Sequence, residues 1–577
     1  MSSLRLGLCL VFGLIFSVPL EEHLVVHGQI QSIPPEYIVN GAAGPQHLLQ
    51  LTIELNPGNV SGLEAELYAV SDPRSSKYGQ HLTKGEVDSF VCPSSEATTA
   101  LNNWLASHGV EPESTSSSGH LLTIQIPVEK ANLMFNASFM SITHTPSNRT
   151  VVRALEYSLP SRLSNHTRSV RPILAASSVS SSRKRTVTPH TGLHRRDNEI
   201  DNDPGQGCDK GITLGCIQKT YNIPSDVATQ GPVGTIGILS LNGEQLNATD
   251  IAKYLKIVRP NINLAPVQVE VVVTDSITTD DGLALTAQIE TFLGINHTQR
   301  SRAQVETPVE EAEEVLSILN LILAEDDVPD IITTSYFTTE DSADATFVKT
   351  AKSVCDAITQ FGVRGSTVLA LSGDGGDTPS FPSTCPHVTS VGSTRSSGTV
   401  EVAVGTSGGG FSNIYARPPY QDDAVTSYLN KIPVQFNSKN RNMLQAPQIW
   451  AAIIAYLNTQ RQNEGKSPLG FLNPLLYANP SMFSNISDIT QGSNAFPPEP
   501  ESPVVLFPPK VMLISTLFTA IPLAISFVSA TPAPVSYLLQ PAAFVLIFAL
   551  FLLRHANTGR TSTVIVLPLK NRVDLFP

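Results

Sequence analysis

The chain has 577 residues, which suggests three or four domains at about 150 residues each. Apolar residues make up 41% of it, enough for sizeable cores, and charged residues only 15%, against about 25% in a typical soluble domain. The formal net charge of −13 excludes a strongly cationic nucleic-acid-binding protein, so we expect no nucleic-acid partner.

The N-terminus has the features of a secretory signal. Arg5 precedes a short apolar stretch over residues 6–18, and Glu21 and Glu22 end it. A positive charge followed by so short an apolar stretch is typical of a signal peptide rather than of a membrane span. We therefore predict a signal peptide over residues 1–20, entry into the secretory pathway, and an extracellular or membrane-tethered location.

Seven Asn-X-Ser/Thr sequons agree with a secreted protein. A chain rich in serine and threonine also forms sequons by chance, so some of them need carry no glycan. The predicted glycosylation sites are Asn59, Asn136, Asn148, Asn165, Asn247, Asn296 and Asn485.

Five of the six cysteines lie beyond the predicted signal peptide, so at least one has no intramolecular partner. We predict that Cys208 pairs with Cys216 and that Cys355 pairs with Cys385. The sequence has no CxxC motif or Cys/His cluster that would indicate a zinc site.

Residues 33–170 form a first block that mixes strand-like and helix-like segments. This mixture predicts a small α+β domain. Its predicted elements are strands at residues 49–55 and 121–126 and helices at residues 62–70, 94–108 and 128–135.

Residues 171–207 form a linker rich in serine, threonine, arginine and histidine. Dibasic runs end at Arg185 and Arg196. Such runs are often only solvated charge, but between two domains of a secreted chain they are also natural processing sites for a protease.

Strand-like and helix-like segments alternate over residues 208–494. This alternation predicts an α/β domain with a parallel sheet and helices on both of its faces. The predicted elements are strands at residues 234–241, 267–273, 330–335 and 367–372 and helices at residues 250–258, 283–293, 309–323, 344–361 and 447–465.

The tail over residues 495–577 contains two apolar runs, at residues 511–530 and 537–553. Each approaches the roughly 20 residues that cross a bilayer. Pro522 interrupts the first run, and several basic residues follow the second, as expected at a cytosolic end. The simpler topology is a single membrane segment at residues 537–553.

Several motifs together resemble the sedolisin, or serine-carboxyl peptidase, family, in particular its secreted fungal tripeptidyl-peptidases. The resemblance covers residues 33–494. The motifs that carry it lie at residues 70–73 (VSDP), 76–82 (SKYGQHL), 208–223, 372–376 (SGDGG), 384–393, 408–413 (GGGFSN) and 469–474 (LGFLNP).

The resemblance implies a subtilisin-like catalytic domain behind a ferredoxin-like activation propeptide. It also implies peptide or unfolded protein as substrate and the chain's own propeptide as a partner. The family uses a serine nucleophile, a glutamate base and a supporting aspartate. A carboxylate with an ordinary pKa of about 4 suits catalysis at acid pH.

The family positions of the glutamate and the aspartate hold no acid in this chain. Aligned on the Gly-Ile pair at residues 294–295, these positions hold Ala284 and Gln288. A register two residues earlier places Gly282 and Thr286 there. Neither alignment leaves a general base.

The nucleophile position holds no serine. Aligned on Pro447, it is occupied by Met443, and the family's Gly-Arg-X-X-Pro-Asp-Val segment is missing between Tyr420 and Pro447. The difference is therefore a deletion rather than a single substitution. Ser438 has no glycine or threonine neighbours of the family type.

Asp374 matches the family aspartate that, when protonated, donates a hydrogen bond to the oxyanion. The alternative is a loop carboxylate that caps a turn.

The family's calcium site is present only in part. The Asp488 carboxylate and the Ile489 carbonyl match its first half, but the apolar tail replaces its second half. Calcium prefers about six or more oxygen ligands, so the resemblance predicts a weak or absent site.

Three hypotheses follow. The chain is a catalytically inactive homologue; or it is an acid tripeptidyl-peptidase or endopeptidase whose sequence carries an error in exon structure; or the propeptide-like block is the working part, as an inhibitor or folding aid. Good matches on both sides of the gap before Pro447 favour the second hypothesis, whereas intact flanks around Ala284 favour the first.

Overall fold

The computed structural model of the protein describes most of the N-terminal block and much of the rest of the chain. The described residues are 23–33, 35–145, 148–174, 217–218, 235–240, 249, 253–254, 256, 269–273, 300–305, 311–334, 338–340, 342–373, 379–392, 394–397, 400–403, 408–409, 412–429 and 447–478.

The chain divides into two compact units, which we describe separately. The first comprises Met1–Val60, Asp88–Ser178 and Asp344–Lys349, and the second comprises Ser61–Val87, Val179–Ala343 and Thr350–Pro577. Ser61–Val87 lies inside the first block of the sequence, yet it belongs to the second unit.

The strands, numbered in chain order, are β1 Leu24–Gln29, β2 Tyr37–Ala42, β3 Leu48–Leu55, β4 Ser114–Thr115, β5 Leu121–Pro127, β6 Met140–His144, β7 Arg149–Arg153, β8 Glu156–Pro160, β9 Thr167–Arg171, β10 Thr235–Ser240, β11 Val269–Val273, β12 Arg300–Val305, β13 Ile331–Thr334, β14 Thr338–Thr339, β15 Thr367–Leu371, β16 Ser380–Phe381, β17 Thr389–Val391, β18 Thr394–Ser397 and β19 Val400–Ala403.

The helices are α1 Val60–Ser71, α2 Lys84–Val91, α3 Ser95–Ser107, α4 Val128–Phe135, α5 Ser161–Ser164, α6 Glu311–Leu323, α7 Ala345–Val363, α8 Asp422–Leu429, α9 Pro447–Asn463 and α10 Asn473–Ala478, with a short 3₁₀ turn at Pro419–Gln421.

The first unit is an α+β fold, as predicted. Its main sheet is antiparallel with the order β4-β5-β3-β9. Along β3, Leu49, Leu51 and Ile53 alternate toward the core because successive strand side chains point to opposite faces. Trp104 from α3 and Phe135 from α4 contact each other in this core, edge to face, with ring centroids 5.5 Å apart.

Local signals explain the helix ends in the first unit. Ser94 caps α3 by accepting a hydrogen bond from the Ala97 amide. At the C-terminal end of the next helix, α4, Asn136 takes a left-handed conformation with φ 44°, which asparagine tolerates better than most residues. These signals account for the close agreement between the predicted and observed bounds of both helices.

The second unit contains a six-stranded parallel sheet with the order β11-β12-β10-β13-β15-β17. The predicted parallel α/β fold is therefore confirmed. All side chains of β13 and β15 are buried, and α9 packs against both strands and β10. The strand β12, with the polar sequence RSRAQV, was not predicted.

Within the described ranges, no helix is both long and apolar enough to span a bilayer. The apolar tail at residues 495–577 lies outside them. The membrane segment at residues 537–553 therefore stays a prediction.

Candidate functional site

The carboxyl edge of the parallel sheet is the place where the fold presents functional groups. The first strand of the sheet along the chain, β10, lies between β12 and β13. The chain forms β12 and β11 on one side of β10 and then crosses to β13, β15 and β17 on the other side. In open parallel sheets, ligands bind at this edge beside such a switch point. The strands β13 and β15 reach it at Thr334 and Leu371.

A close backbone contact fixes the chain immediately after β15. The Gly408 amide donates to the Gly373 carbonyl at 2.7 Å, and Gly373 has a left-handed φ of 99°. A Cβ at position 408 would lie 2.1 Å from the Ser372 carbonyl oxygen, so only glycine fits there. The glycine-rich motif thus holds the start of the SGDGG loop.

A buried carboxylate holds the other end of the glycine-rich motif. Glu340 is 7% exposed and follows β14. One of its oxygens accepts from the Ser412 hydroxyl at 2.6 Å, and the other accepts from the Asn413 amide at 2.6 Å. Because both oxygens are occupied in this way, we assign Glu340 a positioning role rather than that of a base.

The LGFLNP motif ties several elements together through Asn473. Its amide donates to the Val388 carbonyl at 2.9 Å and to the Tyr420 hydroxyl at 3.0 Å. Its carbonyl accepts from the hydroxyl of Thr389, the first residue of β17, at 2.8 Å. This part of the motif is therefore structural.

His387 lies at the centre of a second polar cluster. Its Nδ1 lies 2.7 Å from the Thr359 hydroxyl, and its Nε2 lies 3.3 Å from Glu64 Oε1. The Tyr68 hydroxyl donates to the same Glu64 oxygen at 3.0 Å. The hydrogen bond from His387 lowers the pKa of Glu64, and burial raises the pKa of Tyr68.

A disulfide joins Cys355 and Cys385 beside this cluster, with a Cα–Cα distance of 5.6 Å. The predicted pair is present, and Cys92 is a free, exposed thiol. Cys208 and Cys216 both lie outside the described residues, so their pairing stays a prediction.

The described part of the chain places one group of three possible metal ligands together, Cys355, Cys385 and His387. Both sulfurs are already joined in the disulfide, so this group does not offer a metal its usual thiolates. It also lacks the oxygen ligands that calcium requires.

The predicted catalytic, calcium and processing positions all lie outside the described residues, so the structure gives no account of their geometry. They are Ala284, Gln288, Asp374, Met443, Asp488, Ile489, Arg185 and Arg196.

Four of the seven sequons fall on described residues, and the asparagine of each is exposed, which a glycan requires. These four are Asn59, Asn136, Asn148 and Asn165. The other three, Asn247, Asn296 and Asn485, lie outside the described residues, and glycosylation stays a prediction for all seven.

Residues 35–175 match the family described as Pro-kumamolisin, activation domain. Tripeptidyl-peptidase SED4 of Arthroderma otae is 25% identical over 558 residues, covering 85% of this chain and 90% of that protein. Tripeptidyl-peptidase 1 of Homo sapiens is 28% identical over 522 residues, covering 80% of this chain and 88% of that protein. The chain is homologous to these tripeptidyl-peptidases. The solved structure of Pseudomonas sedolisin covers 48% of this chain and 89% of its own, with 16% identity and a TM-score of 0.35.

Sequence reasoning missed three polar residues of this tripeptidyl-peptidase homologue, namely Glu340, Glu64 and His387. Glu340 lies in the polar run TTEDS over residues 338–342, which gives no spacing signal. Glu64 and His387 are separated by 323 positions, so only the folded chain brings them together. The one available hint for His387 was its place in the motif at residues 384–393.

Proposed function

We propose that this protein is a sedolisin-family homologue without peptidase activity, which keeps the frame of a peptide-binding domain. The observation that carries the proposal is that the aligned positions of the family's glutamate base, supporting aspartate and serine nucleophile hold Ala284, Gln288 and Met443 in the sequence. Alanine, glutamine and methionine side chains can neither take a proton from a nucleophile nor attack a carbonyl carbon.

The surrounding frame supports a binding role. Gly408 and Glu340 hold the glycine-rich motif against the residues that precede Asp374. A fixed sheet edge can pair through backbone groups with an extended chain, and such pairing gives affinity without side-chain specificity. The ligand class that we propose is therefore a peptide or an unfolded protein.

The remaining features of the proposal come from the sequence. We propose entry into the secretory pathway, glycosylation at exposed sequons, and removal of the activation domain by a separate protease at the dibasic sites. Calcium binding is expected to be weak, because only Asp488 and Ile489 match the family site. Attachment to a membrane would depend on the tail.

The experiment measures hydrolysis of fluorogenic tripeptide amides with a free amino terminus by the purified full chain, cut in the linker at residues 171–207, between pH 3 and pH 6. We expect no turnover above that of a D374N variant, because Asp374 is the only catalytic residue of the family that this chain retains. Turnover that D374N abolishes would overturn the proposal. Retained binding of an unfolded polypeptide would support the binding role.

The second candidate function is an active acid peptidase, favoured by the close family matches on both sides of the gap before Pro447. Sequencing the transcript across the codons for residues 420–447 and 494–510 separates the two. A message that encodes the family's Ser-Gly-Thr-Ser run would favour the peptidase, whereas a message that encodes the present sequence would favour the inactive homologue.

A further inference from the structure

Ser61–Val87, which we term the docking segment, belongs to the second unit and packs within it through buried apolar side chains and hydrogen bonds. Leu63 and Val70 are each 1% exposed, and Leu67 is fully buried. Burying one such side chain contributes about 1.5–3 kcal/mol. These three residues, on one face of α1, hold the segment in the unit without any covalent bond to its neighbours in space.

A glycine leaves space for α1, the helix of the docking segment. A Cβ at Gly362, in α7, would lie 2.6 Å from the Leu67 Cδ1 atom. Real Cβ atoms do not approach so closely, so any larger residue at position 362 would displace Leu67. The helices α1 and α7 therefore contact each other where α7 carries a glycine, which has only a hydrogen in place of a side chain.

A second recess receives the imidazole of His81. A Cβ at Gly365 or at Gly470 would lie 2.8 Å from a ring carbon of His81. Both glycines also have left-handed φ values, 94° and 64°, which few other residues adopt. The His81 ring thus lies between two glycines that belong to widely separated parts of the chain.

Hydrogen bonds fix the orientation of this ring and of the chain beside it. His81 Nε2 donates to the Pro468 carbonyl at 3.0 Å, and the Leu82 amide donates to the Val363 carbonyl at 2.8 Å. Burial lowers the pKa of His81, so the neutral ring is the form that fits. Arg461 lies over the ring of Tyr78, with its Cζ 6.0 Å from the centroid, which adds a cation–π contact.

The docking segment thus contacts residues 362–365 and 461–470, which lie far from it in the sequence. We propose that the face formed by residues 362–365 and 461–470 is a lasting docking site for the docking segment, so that the N-terminal fragment remains bound as a noncovalent subunit after the linker is cut. This inference does not depend on the absence of peptidase activity, because an active domain would hold the segment through the same contacts.

The test uses the full chain with a site for a specific protease inserted in the linker at residues 171–207 and a C-terminal affinity tag. The protein is immobilised, cut and washed at pH 7, and the N-terminal fragment that remains is quantified on denaturing gels over time. We expect the wild-type fragment to remain on the resin through prolonged washing. Loss of the wild-type fragment as soon as the linker is cut would overturn the proposal.

Two variants locate the contact. L67A and H81A remove the side chains that fill the recesses, and each is expected to accelerate loss of the fragment by about thirtyfold, as for a buried interface anchor. Q80A is the matched control, because Gln80 adjoins His81 but is exposed, and its amide bonds only to the Ser76 carbonyl. Equal retention of the wild type, H81A and L67A would contradict the proposed site.

A variant that fails to fold is recognised by its absence from the soluble fraction before cleavage. In that case, the wild-type and Q80A measurements still decide whether the fragment stays bound. Hydrogen exchange of the docking segment before and after cleavage gives a second readout. We expect its protection to be unchanged by the cut, and a loss of protection confined to this segment would count against the proposal.

Discussion

The residues that hold the molecule together and the residues that would perform chemistry differ in this chain. The ring of His81 packs against Gly365 and Gly470, where any side chain larger than hydrogen would collide with it. By contrast, the three positions that the family resemblance predicts to be catalytic hold Ala284, Gln288 and Met443, none of which can serve as the base, the supporting acid or the nucleophile of a triad. The comparison sets contacts that the described residues show against a reaction whose absence we propose from the sequence.

The largest expected effect comes from the buried ion pairs of the first unit. Glu54 is 4% exposed, and its carboxylate lies 3.1 Å from Arg171 and 3.5 Å from Arg168. E54A would leave two largely buried guanidinium groups without this carboxylate, so we expect a loss of about 3–5 kcal/mol in the free energy of unfolding. Urea unfolding measures it.

The matched control for that variant is E96A. Glu96 is exposed and lies 3.8 Å from His166 in the same unit. Exposed pairs contribute at most about 1 kcal/mol, so E96A should unfold at nearly the wild-type urea concentration. Similar midpoints for E54A and E96A would show that the buried pairs do not hold this unit together.

The next effect is a dependence on pH. Burial, and then the charge of Lys349, lower the pKa of His27 from 6.5 to about 4, although its contact with the Arg168 carbonyl opposes the shift. The unfolded chain therefore binds the proton more readily. Stability is fully present above pH 6.5 and falls as the pH drops toward 4, by about 3 kcal/mol from this group.

Urea unfolding at pH 7 and at pH 4 tests the role of His27. H27Q should lose about 3 kcal/mol less than the wild type between the two pH values. The control is H23Q, because His23 is an exposed histidine in the same unit. An identical pH dependence in H27Q and the wild type would remove His27 from the account.

A smaller effect is expected in the second unit. N473A removes the amide that bonds to Val388, Thr389 and Tyr420 and leaves their polar groups without this partner. Buried groups left in this way cost about 1–3 kcal/mol in stability. Thermal unfolding should show the loss. A melting temperature equal to that of the wild type would mean that water or a neighbouring group replaces the amide.

The smallest expected effect is at the catalytic positions. M443A should change neither peptide turnover nor peptide binding, because methionine supplies no nucleophile for the substitution to remove. Hydrolysis assays on M443A and the wild type measure this. A fall in turnover in M443A would show that the segment around residue 443 takes part in a reaction, which would contradict the comparison.

The sequence predicted most of the elements that have a strong local signal. The strand at residues 49–55 and the helix Val128–Phe135 have clear periodicity, and the structure contains both. The polar strand β12 was missed because its place between β10 and β11 comes from backbone pairing, which the side-chain pattern does not reveal.

The site was predictable only in part. The glycine-rich and LGFLNP motifs marked the right regions, but their roles depend on contacts between distant residues, such as Glu340 with Asn413 and His81 with Gly470. For the same reason, the sequence placed Ser61–Val87 with the first block, whereas its buried face belongs to the second unit.

The most direct test of the account is hydrolysis by the processed protein, because an uncut chain can be silent merely through its activation domain. The wild type and H81A are cut in the linker, H81A is washed to release the N-terminal fragment, and both are assayed on tripeptide amides between pH 3 and pH 6. Loss of a serine nucleophile alone lowers turnover by about 10⁶ in a serine protease. We predict no turnover above that of D374N in either preparation, and turnover in released H81A that D374N abolishes would contradict the proposed loss of peptidase activity.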